Sequence, residues 1–225
     1  HNCQHLKLLP QPKVAAYGMS PNVTSWGASI YKNTSNSSGL YHLYVTEEAN
    51  GAGMASWIAN SQIVHAVAAT PEGPYQRQEV VTGVPTTNPQ ILYDKFSKTF
   101  LLFHIRGAGS FQLTTSPSQW GPWTSTPFHL GSCNNPTAVF HPNSSLYVLC
   151  HDTTFSMYRY DPGPAGQPAW QSEPAAPIAT LPDPHPHVPG NCEDPFLYID
   201  RNEHFHVIAH CYTCYWCEAT TRFDN

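Results

Sequence analysis

The feature that most constrains this chain is a pattern written three times in full and once in degraded form. An Asn or Asp followed by Pro opens a short β-branched and aromatic run, and a second such run follows after a turn. The copies read Asn88-Pro-Gln-Ile-Leu-Tyr-Asp94 then Thr99–His104, Asn135-Pro-Thr-Ala-Val-Phe-His141 then Leu146–His151, and Asp194-Pro-Phe-Leu-Tyr-Ile-Asp200 then His204–His210. The degraded copy is Trp26-Gly-Ala-Ser-Ile-Tyr31 then Leu40–Thr46. The starts at 26, 88, 135 and 194 lie 62, 47 and 59 residues apart. Repeats of this period are units that bury their faces only by stacking on one another.

A second element recurs downstream of the first. Thr70-Pro-Glu-Gly-Pro-Tyr75 matches Ser116-Pro-Ser-Gln-Trp-Gly-Pro-Trp123, and each follows a strand-like run, Ile63–Ala68 or Phe111–Thr115. The unit is therefore a hairpin, a third strand, a Gly-Pro-aromatic turn and a fourth strand, which describes one propeller blade. No segment of ten or more residues has helical periodicity. The expected fold is all-β, a single domain over residues 1–225 built as a five-bladed β-propeller. Its last blade is expected to be incomplete, because 31 residues remain after Asp194. Residues 1–25 are a candidate ring-closing strand, and 211–225 read as a divergent tail.

Composition narrows the function. Charged residues are 11% of the chain, with 10 Lys+Arg against 15 Asp+Glu and a formal charge of −5. A protein that neutralises phosphates needs a basic face, so nucleic acid is not an expected partner. No apolar run approaches the roughly 18 residues of a membrane span. The chain begins at His1 without a leader in view, as a mature form or a fragment would. Four Asn-x-Ser/Thr triplets, at Asn22, Asn33, Asn36 and Asn143, mark glycosylation sites, and with seven cysteines they point to a secreted or extracellular protein containing disulfides.

In a propeller blade the start of the first strand and the end of the second share one rim of the channel. Asn88 with His104, Asn135 with His151, and Asp194 with His210 fall there, each pair 16 positions apart. Glu193 and Thr46 should lie near the same rim. Such a polar ring can bind a ligand, or its members can satisfy one another and cap strand ends. Imidazoles at a channel mouth could also hold a cation such as calcium, although no cofactor is required and no metal ligand set is assigned.

At these residues the sequence resembles glycoside hydrolase family 43 and its arabinanase-like relatives, in particular an uncharacterised secreted eukaryotic branch. The resemblance rests on the segment from Trp57 to Val67, Thr70-Pro-Glu-Gly-Pro-Tyr75, Asn88-Pro and Glu193-Asp-Pro-Phe196, and it covers about residues 24–210. It implies a five-bladed propeller with an active site at the axial channel mouth, cleaving glycosidic bonds of a polysaccharide. It also implies inverting chemistry with a general acid and a general base on either side of the bond. The acid of a Glu-x-Pro motif is matched by Glu193. A second acidic position falls on Asn135. The base position falls near Ser25 and Trp26, where there is no carboxylate. Asp194, Glu47, Glu48 and the three histidines are the nearby groups that could accept a proton. Glu193 and Asp194 are thus the catalytic candidates, and Trp26, Asn88, His104, Asn135, His151 and His210 the substrate-binding candidates. The alternative is a non-catalytic glycan-binding or structural extracellular propeller, with an extracellular protein as a further candidate partner.

Other features carry less. Trp26, Trp57 and Tyr44 offer aromatic faces for sugar stacking. Cys211, Cys214 and Cys217 have zinc-like spacing but lack a fourth ligand, and disulfides or free thiols suit a secreted chain better. Cys133 and Cys192 each sit two residues before a repeat start, so a bridge between neighbouring blades is one expectation. The Pro-rich stretch Leu181–Gly190, with His185 and His187, is a stiff connector or a rim wall.

Overall fold

The structure, a computed structural model, describes residues 15–211 apart from 33–38, 108, 129, 131–132, 152–153, 175 and 182–191. It is all-β. Among the described residues, fourteen strands form four antiparallel sheets in chain order. The first contains β1 (Ser25–Lys32), β2 (Tyr41–Glu48), β3 (Ser61–Ala68) and β4 (Gln76–Thr82), paired sequentially. The second repeats this with β5 (Thr86–Asp94), β6 (Thr99–Arg106), β7 (Ser110–Ser116) and β8 (Thr124–Thr126). The third has β9 (Thr137–Phe140), β10 (Leu146–His151), β11 (Phe155–Tyr160) and β12 (Ala179–Leu181). The fourth shows β13 (Cys192–Ile199) paired with β14 (Phe205–Cys211). The one α-helix among the described residues, Trp57–Asn60, has four residues and leads straight into β3.

Strand alternation explains the packing. Successive side chains of a strand point to opposite faces. On β6, Phe100 and Leu102 meet Tyr44 and Ile63 of the first sheet, whereas Leu101 and Phe103 meet Leu146, Val148 and Tyr160 of the third. On β10, Leu146 and Val148 face the second sheet, and Tyr147 and Leu149 face Leu197 of the fourth. Each central sheet is thus apolar on both faces, and the core is a series of layers between sheets. The outer face of the first sheet (Leu43, Val45, Val64 and Ala66) is covered by Tyr75, Ala16 and Tyr17. Described residues 15–24 form no strand. They lie against this face, with Tyr75 N–H donating to Ala16 O at 2.8 Å.

The Gly-Pro-aromatic element also repeats in three dimensions. Gly73 and Gly121 adopt φ of 85° and 88°, each before a cis proline and an aromatic residue. A side chain at Gly73 would approach Ala16 O to 2.8 Å, so both conformation and close approach select glycine there.

A second repeated device joins the sheets near their first strands. Ser29 Oγ accepts from Ile91 N–H at 3.2 Å, and Thr137 Oγ1 accepts from Leu197 N–H at 2.9 Å. Between them, Gln90 mimics a strand: its Oε1 accepts from Ala138 N–H at 2.6 Å and its Nε2 donates to Ala138 O at 3.0 Å. Ser29, Gln90 and Thr137 stand at equivalent places in three sheets. The fourth member of the series, Phe196, has no polar group and is 54% exposed.

The cysteine expectation is corrected. Cys133 bonds Cys150, not Cys192, with Cα atoms 5.2 Å apart. Cys150 lies on β10, beside the segment that carries Cys133 into β9, so a partner within the same sheet is nearer than one in the next. Cys192 is itself disulfide-bonded. Cys214 and Cys217, the connector with His185 and His187, and the glycosylation candidates Asn33 and Asn36 lie outside the described residues.

Candidate functional site

The first strands of the four sheets meet at one cavity of about 410 Å³, lined from Gly27–Ile30, Asn88–Gln90, Asn135–Thr137 and Asp194–Phe196. At each strand start one residue takes the left-handed conformation: Gly27 (φ 49°), Asn88 (52°), Asn135 (45°) and Asp194 (48°). Glycine adopts this conformation freely, and Asn and Asp tolerate it best among side-chain-bearing residues. The pairing register also slips at these starts in three of the sheets, between Trp26 and Ala28, Thr87 and Gln90, and Glu193 and Phe196. A bulge of this kind re-aims a side chain at a strand end. Four corners therefore face one space.

Three of the corners are tied together. Asn88 Nδ2 donates to Asn135 Oδ1 at 2.5 Å and lies 3.3 Å from Asp194 Oδ1. The orientation of its amide follows from its other contact, because Asn88 Oδ1 accepts from Thr87 Oγ1 at 3.1 Å. Its backbone N–H donates to Thr46 Oγ1 at 3.1 Å, and Thr46 Oγ1 lies 3.4 Å from Thr87 Oγ1. Thr46 thus stands beside the corner of Asn88.

The first repeat starts one residue later than the sequence pattern suggested. Gly27, not Trp26, is equivalent to Asn88, Asn135 and Asp194. Trp26 precedes the bulge and packs edge-on against Trp57, with centroids 5.9 Å apart and an interplanar angle of 76°. It does not line the cavity. Tyr44 is fully buried, its hydroxyl donating to Gln119 O at 2.8 Å, so its face is closed to a sugar.

The histidines also stand elsewhere. His104 is 3% exposed and its Nε2 contacts Thr114 Oγ1 at 2.9 Å, within its own sheet. Burial lowers its pKa to about 4. His151 is buried against Phe155, with ring centroids 4.5 Å apart. Neither lines the cavity, and Asn88 bonds across to other corners rather than to His104. The reason is alternation: a side chain opposite a bulged corner points into the sheet packing, not into the cavity. His210 is in backbone register with Glu193 on β14, and its side chain lies outside the described set. Glu193 is half-buried and adjoins Asp194, which is exposed and lines the cavity.

The two other carboxylates considered as bases are engaged. Glu47 accepts from Tyr17 Oη at 2.6 Å, Gln62 Nε2 at 3.2 Å and Arg77 Nη2 at 3.1 Å. Burial alone would raise its pKa, but Arg77 and Tyr17 outweigh that and hold it below the usual carboxylate value. Glu48 is 2% exposed and accepts from Ser61 Oγ at 3.1 Å. Among the described residues, no group of three or more His, Cys, Asp or Glu is placed to hold a metal ion, and no helix is long and apolar enough to cross a membrane. Of the glycosylation candidates, Asn22 and Asn143 are exposed in turns.

Gly27 and Phe196 are among the lining residues to which the sequence pattern assigned no role. The only sequence signal for Gly27 was its place one residue before the start of the repeat's apolar run. That is where the other copies carry Asn or Asp.

No family model and no curated protein matches the chain by sequence. By structure it is similar to an exo-β-1,3-galactanase from Phanerochaete chrysosporium, with a TM-score of 0.60 and 13% identity. That match covers 81% of this chain and 42% of the galactanase, so the chain spans less than half that enzyme's length. It is also similar to an arabinanase from Bacillus subtilis (TM-score 0.55, 14% identity, 88% and 72% covered). A third match is a β-xylosidase/α-arabinofuranosidase of glycoside hydrolase family 43 from a compost metagenome (TM-score 0.56, 9% identity, 91% and 79% covered). At such identities the likeness is one of fold, and the fold is that of glycoside hydrolase family 43 enzymes.

Proposed function

We propose that this is a secreted, carbohydrate-active protein that takes a glycan into the cavity at its four strand starts and cleaves a glycosidic bond there. The observation that carries the reading is the convergence of Asn88, Asn135 and Asp194 on one cavity, tied by hydrogen bonds. The volume suits a small-molecule site, which typically spans about 300–1,000 Å³. Neutral amides beside one carboxylate suit the hydroxyl groups of a saccharide. Glu193 acts as general acid, giving its proton to the departing glycosidic oxygen. Water adds to the anomeric carbon and gives up a proton to Asp194, the one carboxylate among the described lining residues. The fold is a five-bladed ring. Support comes from the hydrogen bond handed from Ser29, Gln90 and Thr137 to the next sheet, with Phe196 exposed at the end of the series. The exposed glycosylation candidates Asn22 and Asn143 support an extracellular setting.

A second reading, binding without turnover, is favoured by one feature: three of the four corners, Gly27, Asn88 and Asn135, have no carboxylate. Asn cannot accept a proton as a carboxylate does.

A glycan panel tests both, scoring binding and reducing-end release by the wild type and Glu193→Gln. Release that disappears in the variant supports hydrolysis through Glu193. Binding by both without release supports the second reading, and neither binding nor release overturns the glycan site.

A further inference from the structure

The four corners are equivalent in backbone, but only three carry side chains. Asn88, Asn135 and Asp194 fill their corners and bond one another, while Gly27 leaves its corner open to the cavity. A methyl group placed on Gly27 would stand 3.5 Å from Asn88 Oδ1 and 3.9 Å from Thr46 Oγ1, in ordinary contact. The gap is therefore roomy enough for a side chain, and its walls are polar.

The hydrogen-bonding capacity of those walls is fixed by their other partners. Asn88 Nδ2 is spent on Asn135 and Asp194, so the amide turns its oxygen toward Gly27. That oxygen takes one bond from Thr87 and has a second lone pair. Thr46 Oγ1 accepts from Asn88 N–H, and among the described residues its own hydrogen has only Thr87 Oγ1 at 3.4 Å, a long contact from which it can turn into the gap. The gap thus presents one acceptor and one donor. A hydroxyl matches both. A ligand carboxylate brings no proton for Asn88 Oδ1, and an ammonium brings no lone pair for Thr46.

We propose that the corner left open by Gly27 is a subsite for one saccharide hydroxyl, which donates to Asn88 Oδ1 and accepts from the Thr46 hydroxyl. The inference rests on the glycan reading of the cavity and deepens it: ligand selection comes from a missing side chain as much as from those present.

The test fills the gap. Gly27→Asn keeps the left-handed backbone, as the equivalent Asn88 and Asn135 already hold an Asn in that conformation. Binding of β-1,3-galactotriose, arabinohexaose and xylotriose is measured by calorimetry for wild type and variant, with the melting temperature of each. The expected result is loss of about tenfold or more in affinity for whichever saccharide the wild type binds, as expected for two lost neutral hydrogen bonds, with the melting temperature lowered by no more than about 2–4 °C by the side chain at positive φ. Equal affinity in the variant overturns the subsite while leaving the glycan reading intact. Binding of none of the three by the wild type overturns both. If Gly27→Asn does not fold, a crystal structure of the wild-type complex decides. A ligand hydroxyl within hydrogen-bond distance of both Asn88 Oδ1 and Thr46 Oγ1 supports the subsite, and any other group or an unfilled gap overturns it.

Discussion

Asn88 Nδ2 stands 2.5 Å from Asn135 Oδ1, although 47 residues separate them. The second and third sheets therefore meet at the cavity through one amide pair, and the same nitrogen lies 3.3 Å from Asp194 Oδ1 of the fourth. Replacing this donor tests the cluster. Asn88→Asp sets a carboxylate beside Asp194, and each disfavours ionisation of the other. The folded-state pKa of the pair then rises above the unfolded value. The penalty is fully present above that raised pKa and fades as pH falls through it. Because Asp194 is exposed, screening holds the penalty to about 1 kcal/mol. Urea unfolding of the variant at neutral and acidic pH should show the difference from wild type shrinking in acid.

Gln90 gives a sharper stability test. Its side chain is 8% exposed and serves both Ala138 N–H and Ala138 O. Gln90→Ala strands two backbone groups between sheets, and a buried unsatisfied group costs about 1–3 kcal/mol. A loss of about 2–4 kcal/mol in denaturant unfolding is expected. A loss below about 0.5 kcal/mol would mean that the side-chain bridge does not hold the second and third sheets together.

The buried histidines set an acid limit. His42 is fully buried and its Nδ1 lies 2.8 Å from His65 Nε2, whose Nδ1 lies 2.8 Å from Glu79 Oε1. Burial, aided by His65, lowers the His42 pKa to about 4, as burial lowers that of His104. The folded values lie below the unfolded value of about 6.5, so the unfolded chain binds more protons between the two. Stability is present above about pH 6.5 and is lost as pH falls toward about 4, by about 2–3 kcal/mol per histidine. His104→Gln should flatten the fall in unfolding free energy over that window.

At the outer face of the first sheet, Arg77 grips Glu47 through Nε and Nη2 while Tyr17 donates to the same carboxylate. The depressed Glu47 pKa gives stability that is present above the unfolded carboxylate value and lost as pH falls through the folded one. Arg77 is 43% exposed, so Arg77→Ala should cost only about 1–2 kcal/mol. It should also release residues 15–20, seen as faster amide exchange there.

Removing the Cys133–Cys150 bridge frees a loop of sequence separation 17. Chain-entropy reasoning puts the cost near 3 kcal/mol. The double variant Cys133→Ser with Cys150→Ser should unfold at correspondingly lower denaturant, with the same far-ultraviolet spectrum before the transition.

The strands were legible because alternation and turn residues are local. The run Leu146–Cys150 became β10 with one residue added, and Thr99–Ile105 became β6 with one added. The repeat was legible for the same reason: Asn-Pro and Asp-Pro are short signals that bring a corner and a strand together. The fate of the histidines was not. His104 and His151 carry the right chemistry and spacing for a rim, yet which way a side chain points beside a bulge depends on register, and a shift of one residue turns it to the other face. The same shift hid Gly27 behind Trp26.

The sequence by itself determined the class of fold, the number of repeated starts and the amide and carboxylate chemistry that those starts bring to one place. These follow from residue type and period, which are properties of neighbours along the chain. Only the tertiary structure decided which atoms meet: that Asn88 bonds Asn135 rather than His104, that Cys133 finds Cys150, and that one corner of the cavity is open. Contacts across tens of residues are set by how twisted sheets stack and where their ladders slip. That geometry belongs to the assembled sheets and to no single segment.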